Sequence, residues 1–218
     1  MFSPIVSKSS PVTILGGADL GTDELNISLS QAPILVAADG GANHALAAGL
    51  DVAAVIGDLD SVSEAARAAF ADDLHFVDEP DTTDFEKVLS RVDAPLFLAC
   101  GFLGGRLDHT LAVLNVMLRM NKRVILLSAD DVVFVCPPGV SLTLPVGCRF
   151  ALLPMGDVRL TTQGLRWDLT DAALHPTGLV SSSNEVATPQ VRISAQGPLL
   201  ITLPLAQLFA AKAAVLAG

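Results

Sequence analysis

Tyrosine is absent from this sequence of 218 residues, and lysine and arginine together supply only 13 residues. Because aspartate and glutamate number 23, the formal net charge is -10 at neutral pH. Nucleic acids and anionic membranes attract proteins through basic patches, which this composition does not favour. We therefore expect no nucleic-acid partner and no membrane partner. A polyphosphate ligand would need the positive charge of a metal ion in such an acidic protein.

Long apolar runs and paired cysteines are also missing. No uninterrupted apolar stretch reaches the roughly 18 residues of a membrane-spanning helix, and no basic segment precedes an apolar one at the amino terminus. The three cysteines, Cys100, Cys136 and Cys148, lie in apolar stretches without the spacing of metal ligands. This odd number of cysteines predicts reduced core residues and a cytoplasmic location.

Several familiar catalytic signatures do not occur. The sequence has neither the Walker pattern G-x-x-x-x-G-K-[ST] nor the dinucleotide pattern G-x-G-x-x-G, so a nucleotide would be held by a different device. The four histidines are scattered and form no His-x-x-x-His pair, which disfavours zinc. No Ser/His/Asp or Cys/His order stands out as a nucleophilic arrangement.

What the chain does contain is a series of loops that carry glycine, aspartate or both, each after a short apolar run typical of a β-strand. If these strands are parallel neighbours, their loops emerge along one edge of one sheet. Crowded carboxylates repel one another unless a cation lies between them, and glycine loops let the backbone approach phosphates closely. The pattern therefore predicts a metal–nucleotide site in one acidic crevice. The loops span residues 16–19, 39–43, 57–61, 81–84 and 104–108.

Strand-like runs alternate with helical patterning up to about residue 130, which is typical of βαβ units around a mainly parallel sheet. Beyond that point short β-rich segments alternate with turns, as in a small antiparallel sandwich. We therefore predict a Rossmann-like α/β domain over residues 1–130 and a β-sandwich domain over residues 131–218. An amphipathic helix is predicted over residues 205–216. Capping-box spacing predicts further helix starts at Ser61 and Thr83.

Asp58 and Asp60 stand two residues apart at the end of an apolar run. In extended backbone, residues i and i+2 point to the same side, so both carboxylates can reach one ion. A polar turn in which Ser61 caps the next helix explains the same residues without a metal. The other acidic loops favour the metal interpretation.

Other candidates have both structural and functional explanations. Asp84 falls in the first turn of its predicted helix, where the helix dipole favours an acid in any protein. Asp108 is predicted as a helix N-cap, and Asn115 lies on the same stripe, as a buried structural amide or as a ligand contact. Doubled glycines before two helices fit either tight turns or phosphate-binding helix starts, and Arg106 fits a phosphate clamp.

Six short segments, in this order and spacing, resemble the thiamine pyrophosphokinase family. The resemblance covers most of the chain and implies transfer of the pyrophosphoryl group of ATP to the hydroxyl of thiamine, giving thiamine diphosphate and AMP. It also implies Mg²⁺, an α/β domain followed by a β-sandwich, and a homodimer. The segments are ADGGAN at 38–43, GDLDS at 57–61, TDF at 83–85, GGRLDH at 104–109, GLRWDL at 164–169 and SSSNE at 181–185.

The resemblance also assigns site residues in three groups. Asp58, Asp60 and Asp84 match the family's acidic residues around the metal and phosphates, and are the predicted catalytic and metal-binding residues. The second domain is expected to contribute to dimerisation and to supply the thiamine contacts Trp167, Ser183 and Asn184. The predicted ATP contacts are Asp39, Gly40, Gly41, Asn43, Arg106 and Asp108.

Four questions stay open at the level of the sequence. The proton acceptor is either Asp84 or Asp108, and Trp167 is either a solvent-facing core residue or a stacking platform for a cationic ring. Pro80 occupies a position where many family members carry Lys or Gln, so a contact made there by those members is lost, and Arg106 and Lys87 are the candidates to replace it. The acidic loops also fit another Mg²⁺-dependent phosphotransferase or phosphohydrolase, or a non-catalytic regulator that binds nucleotide or thiamine.

Overall fold

The computed structural model describes residues 3–218, and the chain divides into two compact units, Met1–Ala129 and Asp130–Gly218. The first unit is an α/β unit and the second is built mainly from antiparallel strands. The predicted fold class, an α/β domain followed by an all-β domain, is therefore confirmed. The substrate roles assigned to the two domains stay predictions.

The main sheet of the first unit is parallel throughout. Its strands follow the order β8-β7-β2-β3-β4-β5, and a separate parallel pair joins β1 to β6. Strands of this sheet such as β2, β4, β7 and β8 are buried at every position, as expected for a sheet with helices on both faces. The strands are β1 (Val6–Ser7), β2 (Val12–Leu15), β3 (Ile34–Ala38), β4 (Ala54–Gly57), β5 (Leu74–Phe76), β6 (Val92–Asp93), β7 (Phe97–Cys100) and β8 (Val124–Leu127).

Five α-helices connect these strands. The helix α4 begins after Thr83, whose hydroxyl accepts a hydrogen bond from the backbone N–H of Glu86 at 3.3 Å, as the capping-box spacing predicts. A 3₁₀ turn over Ala71–Asp73 precedes β5. The helices are α1 (Thr22–Gln31), α2 (Gly41–Ala47), α3 (Glu64–Ala69), α4 (Asp84–Arg91) and α5 (Leu107–Arg119).

The second unit contains two antiparallel sheets. Their orders are β14-β11-β16-β9 and β10-β15-β12-β13. Strands β12 and β15 alternate strictly between buried and exposed residues, which is the signature of a sheet with one solvated face. The strands are β9 (Asp131–Val135), β10 (Gly139–Thr143), β11 (Arg149–Pro154), β12 (Val158–Gln163), β13 (Ala172–Leu174), β14 (Ser181–Glu185), β15 (Gln190–Gln196) and β16 (Leu199–Pro204).

The last helix, α6 (Leu208–Ala217), follows a 3₁₀ turn over Leu205–Gln207 and packs against β9, β10 and β16. A helix is therefore present where one was predicted, but it is apolar except for Lys212 and so lacks the polar face of an amphipathic helix. Among residues 3–218, the structure contains no helix with the length and apolar character needed to cross a membrane.

Two local predictions were wrong. Ser63, not Ser61, caps α3 by accepting a hydrogen bond from the N–H of Ala66 at 3.2 Å, because Ser61 lies further back in the preceding loop. Asp108 is not an N-cap, because α5 begins at Leu107 and Asp108 is its second residue.

Cysteine burial agrees with the prediction of reduced residues. All three cysteines are free, Cys100 and Cys136 are buried, and Cys148 is half-buried. Burial raises the pKa of the thiols of Cys100 and Cys136 to about 12. Both therefore stay protonated and unreactive at neutral pH.

Candidate active site at the carboxyl edge of the parallel sheet

The chain changes direction across the sheet between β2 and β7. In the sheet, β2 to β5 lie on one side of this point, and β7 and β8 lie on the other side. At the end of β2, a Cβ on Gly16 would lie 2.3 Å from the carbonyl oxygen of Gly101, which follows β7. Only glycine permits this approach of two loops. In open α/β sheets such a switch point, at the carboxyl ends of the strands, is where ligands bind.

Beside the switch point, three carboxylates from two neighbouring strands gather. Asp39 follows β3, while Asp58 and Asp60 follow β4, and each offers one oxygen within 4.8 Å of the other two. Asp39 is buried, Asp58 is half-buried and Asp60 is exposed. The cluster therefore opens from the protein interior toward solvent, with its deepest carboxylate directly after β3.

The buried carboxylate of Asp39 is only partly satisfied. Its Oδ2 accepts a hydrogen bond from the N–H of Ser61 at 3.2 Å, whereas its buried Oδ1 has no partner in the described part of the chain. The backbone of Asp39 is also held at a φ of 44°, and that of Leu59 at 64°, both in the left-handed region. Such strained positions and unpaired buried oxygens concentrate at ligand sites.

Asp84 adds a fourth carboxylate beside this group, from the start of α4. A Cβ on Gly57 would lie 2.8 Å from Cβ of Asp39 and 3.1 Å from Oδ1 of Asp84, so any larger residue would displace one of them. Asp84 is not one of the three carboxylates whose oxygens lie within 4.8 Å of one another. Its assignment to the metal stays a prediction.

A buried lysine binds two of these carboxylates. The Nζ of Lys87, on α4, lies 2.9 Å from Oδ2 of Asp58 and 3.0 Å from Oδ1 of Asp84. The ammonium group of Lys87 holds the pKa of Asp58 below its usual range. Burial works against the charge of Lys87, but its two carboxylate partners raise the pKa of the lysine above its usual value. Lys87 therefore stays a cation inside the cluster.

Burial, reinforced by the negative charges of Asp84 and Asp58, raises the pKa of Asp39. A carboxyl whose pKa is higher in the folded protein loses stability for the fold as pH rises from its unfolded value near 3.9 through its folded value. We therefore expect Asp39→Asn to melt a few degrees above the parent protein at pH 7, with a difference that shrinks toward pH 4. Thermal unfolding in the presence of a chelator measures this difference.

The exposed Asp51 supplies the matched control for that comparison, because Asp51→Asn removes one carboxylate from the same unit away from the cluster. We expect its melting temperature to follow that of the parent protein across the same pH range. A melting temperature of Asp39→Asn at or below the parent value at pH 7 would contradict the account of Asp39.

Hydrogen bonds from one amide and one guanidinium side chain hold the loop that carries Asp58 and Asp60. Asn43 donates from Nδ2 to the carbonyl of Ser61 at 2.8 Å, and its Oδ1 accepts from the N–H of Ser63 at 2.9 Å. The guanidinium of Arg67 donates to the carbonyls of Leu59 and Val62. Asn43 thus has a positioning role in the free protein, and its predicted contact with ATP stays a prediction.

The two glycines before α2 lie close to the loop after β2. A Cβ on Gly41 would lie 2.0 Å from the carbonyl oxygen of Leu15, and one on Gly40 would lie 3.3 Å from Cβ of Ser61. Gly41 therefore permits close packing of α2 against β2, and both glycines stand beside the carboxylate cluster. Their predicted contact with ATP is not decided by this packing.

Arg106 and Asp108 pair with each other at the start of α5. Nη2 of Arg106 lies 2.6 Å from Oδ2 of Asp108, and Nε lies 3.2 Å from Oδ1, with both side chains exposed. Asn115, further along α5, accepts a hydrogen bond from Nε of Arg119 at 3.1 Å. In the free protein the partners of these three side chains therefore lie on α5 or directly before it. Asn115 is exposed, so its interpretation as a buried structural amide was wrong. The predicted roles of Arg106 and Asp108 in ATP binding stay predictions.

The proline at position 80, where many family members carry Lys or Gln, has a local structural explanation. The N–H of Thr82 donates to the carbonyl of Glu79 at 3.2 Å, which closes a turn with Pro80 at its second position. Proline favours that position because its fixed φ matches the turn. Of the two candidates to replace the lost contact, Lys87 is at the carboxylate cluster, whereas Arg106 pairs with Asp108.

The second unit contains an open groove of about 370 Å³ beside its single tryptophan. Trp167 is 55% exposed, so it is not a core residue. The guanidinium of Arg166 lies 5.0 Å from the centroid of the indole ring and 3.6 Å from the carboxylate of Glu185. The ring therefore already attracts a cation in the free protein. The groove is lined by Trp167, Leu169, Leu179, Val180, Ser181, Ser182, Ser183 and Asn184.

One buried side chain, that of Asn184, and one exposed side chain, that of Asp168, fix the backbone around Trp167. Asn184 donates to the carbonyl of Trp167 at 2.9 Å and accepts from its N–H at 3.2 Å. The carboxylate of Asp168 accepts hydrogen bonds at 3.0 Å from Oγ1 of Thr162 and from the backbone of residues 164 and 165. Asn184 is buried behind the groove, whereas Ser183 is exposed at it.

A parallel sheet with a glycine-lined, acidic carboxyl edge, followed by a β-sandwich, places the protein in the α/β plus all-β class. Comparison with models of known protein families then identifies the family within this class. Residues 25–127 match the model described as "Thiamin pyrophosphokinase, catalytic domain". Residues 143–200 match the model described as "Thiamin pyrophosphokinase, vitamin B1 binding domain". The chain belongs to the thiamine pyrophosphokinase family.

Individual relatives agree with this placement. Over 170 residues the chain is 34% identical to thiamine pyrophosphokinase 1 of Oryza sativa, covering 68% of this chain and 64% of that protein. It is 31% identical over 142 residues to thiamine pyrophosphokinase 1 of Arabidopsis thaliana, covering 57% of this chain and 53% of that protein. The chain thus spans less than two thirds of the length of these relatives.

Solved structures show the same fold. The thiamin pyrophosphokinase of Candida albicans superposes with a TM-score of 0.78 at 17% identity, covering 94% of this chain and 95% of that one. The enzyme of Geobacillus thermodenitrificans superposes with a TM-score of 0.76 at 23% identity, covering 89% and 96%. At these identities the likeness speaks for the fold alone.

Proposed function

We propose that the protein is a thiamine pyrophosphokinase that transfers the pyrophosphoryl group of ATP to the hydroxyl of thiamine. The observation that carries this proposal is that its two units match the catalytic and the vitamin B1-binding models of one family. The acidic cluster of the first unit and the aromatic groove of the second supply two chemically different sites, as a reaction between a nucleotide and a cationic ring requires.

The carboxylates of the first unit suit a magnesium ion. Mg²⁺ prefers hard oxygen ligands, and three carboxylates here offer oxygens within 4.8 Å of one another, including the unpartnered Oδ1 of Asp39. We therefore propose Asp39, Asp58 and Asp60 as ligands, with Asp84 beside them. A cation bound there would neutralise the negative charge of the phosphates during transfer.

For the phosphates themselves, we propose the glycine loops and Arg106 as contacts. Gly40 and Gly41 stand at the start of α2, directly after Asp39, where glycine lets the backbone come close to a phosphate. Arg106 is exposed and pairs only locally with Asp108, so a phosphate can replace that carboxylate as its partner. Asn43 holds the loop that carries Asp58 and Asp60.

In the proposed reaction the hydroxyl oxygen of thiamine forms a bond to the β-phosphorus of ATP. The bond from that phosphorus to the oxygen bridging to the α-phosphate breaks, and AMP leaves with that oxygen. Such transfers depend mostly on alignment and charge neutralisation. We propose Asp84 as acceptor of the hydroxyl proton, because Lys87 engages Oδ1 of Asp84, whereas Arg106 engages both oxygens of Asp108.

We propose that thiamine binds in the groove of the second unit. Its positively charged ring suits the exposed face of Trp167, and Ser183 is exposed at the same groove. Asn184 is buried and shapes the backbone around Trp167, so its contribution is to positioning. The acidic first unit attracts the same cation by its overall field.

The assembly and the cell compartment also belong to this proposal. We propose a homodimer in which the catalytic unit of one chain works with the vitamin B1-binding unit of its partner, as the family resemblance implies. Trp167, Leu179 and Val180 leave an exposed apolar rim at the groove, which is consistent with further burial in an assembly. The three free cysteines support a cytoplasmic location.

Incubation of the pure protein with thiamine, ATP and Mg²⁺ tests the proposed activity. We expect equal amounts of thiamine diphosphate and AMP, measured by chromatography of nucleotides and thiamine esters. Omission of any one component should abolish AMP formation. Formation of ADP would indicate another phosphotransferase, release of phosphate without thiamine would indicate a phosphohydrolase, and binding without any product would indicate a regulator.

A further inference from the structure

Lys87 is a lysine with an unusual environment. Its side chain is 2% exposed, although lysine is almost never fully buried unless it is paired. Its ammonium group lies between Asp58 of one loop and Asp84 of α4, at 2.9 and 3.0 Å. Removing an ammonium group from water is unfavourable, so the two carboxylates compensate for its burial.

The same ammonium group also reduces the repulsion between the carboxylates of the cluster. Asp39, Asp58, Asp60 and Asp84 bring their negative charges together at the carboxyl edge of the sheet, where like charges repel. Lys87 attracts two of them directly. Without a metal, its charge holds Asp58 against α4 and reduces the repulsion that would otherwise open the loop.

A cation placed among Asp39, Asp58 and Asp60 would lie close to the positive charge of Lys87, which contacts Asp58. The two positive charges share one carboxylate, because Oδ2 of Asp58 already contacts Nζ of Lys87. Coulomb repulsion between them acts through a partly desolvated site, where it is stronger than in bulk water. Lys87 therefore favours the assembled cluster but opposes a second cation.

We propose that Lys87 is a positioning residue that serves as the built-in counter-ion of the metal-free site and keeps its affinity for free divalent cations low. The inference rests on the proposed function, which locates a divalent cation at these carboxylates. A low intrinsic affinity means that the cation is held tightly only together with a polyphosphate, whose negative charge offsets that of Lys87. The cluster then stays ordered between catalytic cycles without a resident metal.

Substitution of Lys87 by methionine removes the charge and retains the length of the side chain. Titration of the protein with Mn²⁺ alone, followed by electron paramagnetic resonance of the free ion, measures the affinity without nucleotide or thiamine. We expect Lys87→Met to bind Mn²⁺ at least about tenfold more tightly than the parent protein. We also expect its melting temperature to fall in a chelator and to recover largely in excess Mg²⁺, whereas the parent protein changes little.

Three further variants make the result specific. Lys87→Arg keeps the charge and should retain the parent affinity for Mn²⁺. Lys87→Gln removes the charge but keeps a hydrogen-bond donor, so it tests the same expectation if Lys87→Met does not fold. Lys122→Met removes another lysine of the first unit, one that lies 3.8 Å from Asp93 and outside the cluster, and should leave Mn²⁺ binding unchanged.

Unchanged or weaker Mn²⁺ binding in both uncharged variants would overturn the inference, as would a loss of melting temperature that is equal with and without Mg²⁺. These readouts need no catalysis. A protein without pyrophosphokinase activity whose Lys87→Met variant binds Mn²⁺ more tightly would refute the proposed function and keep this inference. An active enzyme whose uncharged variants bind Mn²⁺ like the parent would do the reverse.

Discussion

Asparagine in place of Asp60 is expected to lower turnover by roughly a thousandfold or more without harm to the fold, because the variant retains the size of the side chain and loses one proposed cation ligand. Asp58→Asn should lower turnover equally. It should also lower stability by about 1 kcal/mol, since the buried Lys87 then retains only Asp84 as a charged partner. Initial rates of AMP formation and thermal unfolding measure the two effects.

The contrast between the two variants is the informative part of this experiment. Both remove one charge and neither changes the volume of a side chain, but only Asp58 contacts Lys87. Asp51→Asn, an exposed substitution away from the cluster, is the control for both turnover and stability. Near-parental rates in Asp58→Asn and Asp60→Asn would mean that this pair forms a turn and binds no catalytic cation.

Much of the fold could be predicted because the sequence repeats one local device. Buried strands appear as uninterrupted apolar runs, and each is followed by a loop in which glycine or aspartate ends the strand, so the pattern of residues alone locates β2, β3 and β7. The second unit is evident from the change to alternating patterns, as in β15. Both signals are local and need no knowledge of partners.

The helix α1 was not predicted from the sequence, and the reason is physical. Its buried side includes polar residues, because Ser28 lies in the interior and its hydroxyl is hydrogen bonded to that of Thr13 on β2 at 2.9 Å. Glu24 is buried as well, and burial raises the pKa of its carboxyl. A helix whose interior face is partly polar lacks the apolar stripe on which a prediction from periodicity depends.

The candidate site was harder to predict from the sequence than the fold was. Asp58 and Asp60 are recognisable as a pair because they lie two residues apart after a strand, but the place of Asp39 in the same cluster depends on the pairing of β3 with β4. Lys87 carries no local signal for its role, since a lysine on a helix is ordinarily solvent-exposed. Its burial follows only from the position of α4 beside β3 and β4.

Trp167→Ala is expected to raise the Michaelis constant for thiamine by about tenfold or more, given about 1 to 2 kcal/mol for a cation on an aromatic ring in a desolvated site. The constant for ATP should change little, because Trp167 belongs to the second unit and the proposed nucleotide contacts belong to the first. The melting temperature should also change little, since the ring is 55% exposed. Steady-state kinetics with each substrate varied in turn separates these effects.

Two comparisons decide how the result of Trp167→Ala is interpreted. Phe209→Ala removes another exposed aromatic ring of the second unit, one that does not line the groove, and should leave the constant for thiamine unchanged. At thiamine concentrations well below the raised Michaelis constant of Trp167→Ala, mixing Asp58→Asn chains with Trp167→Ala chains should restore up to about a quarter of the parental activity, because half of the randomly formed dimers then contain one site with both residues intact. An unaltered constant for thiamine in Trp167→Ala would remove the groove from the substrate site. Absence of restored activity, together with sedimentation as a monomer at assay concentration, would show that each chain works alone.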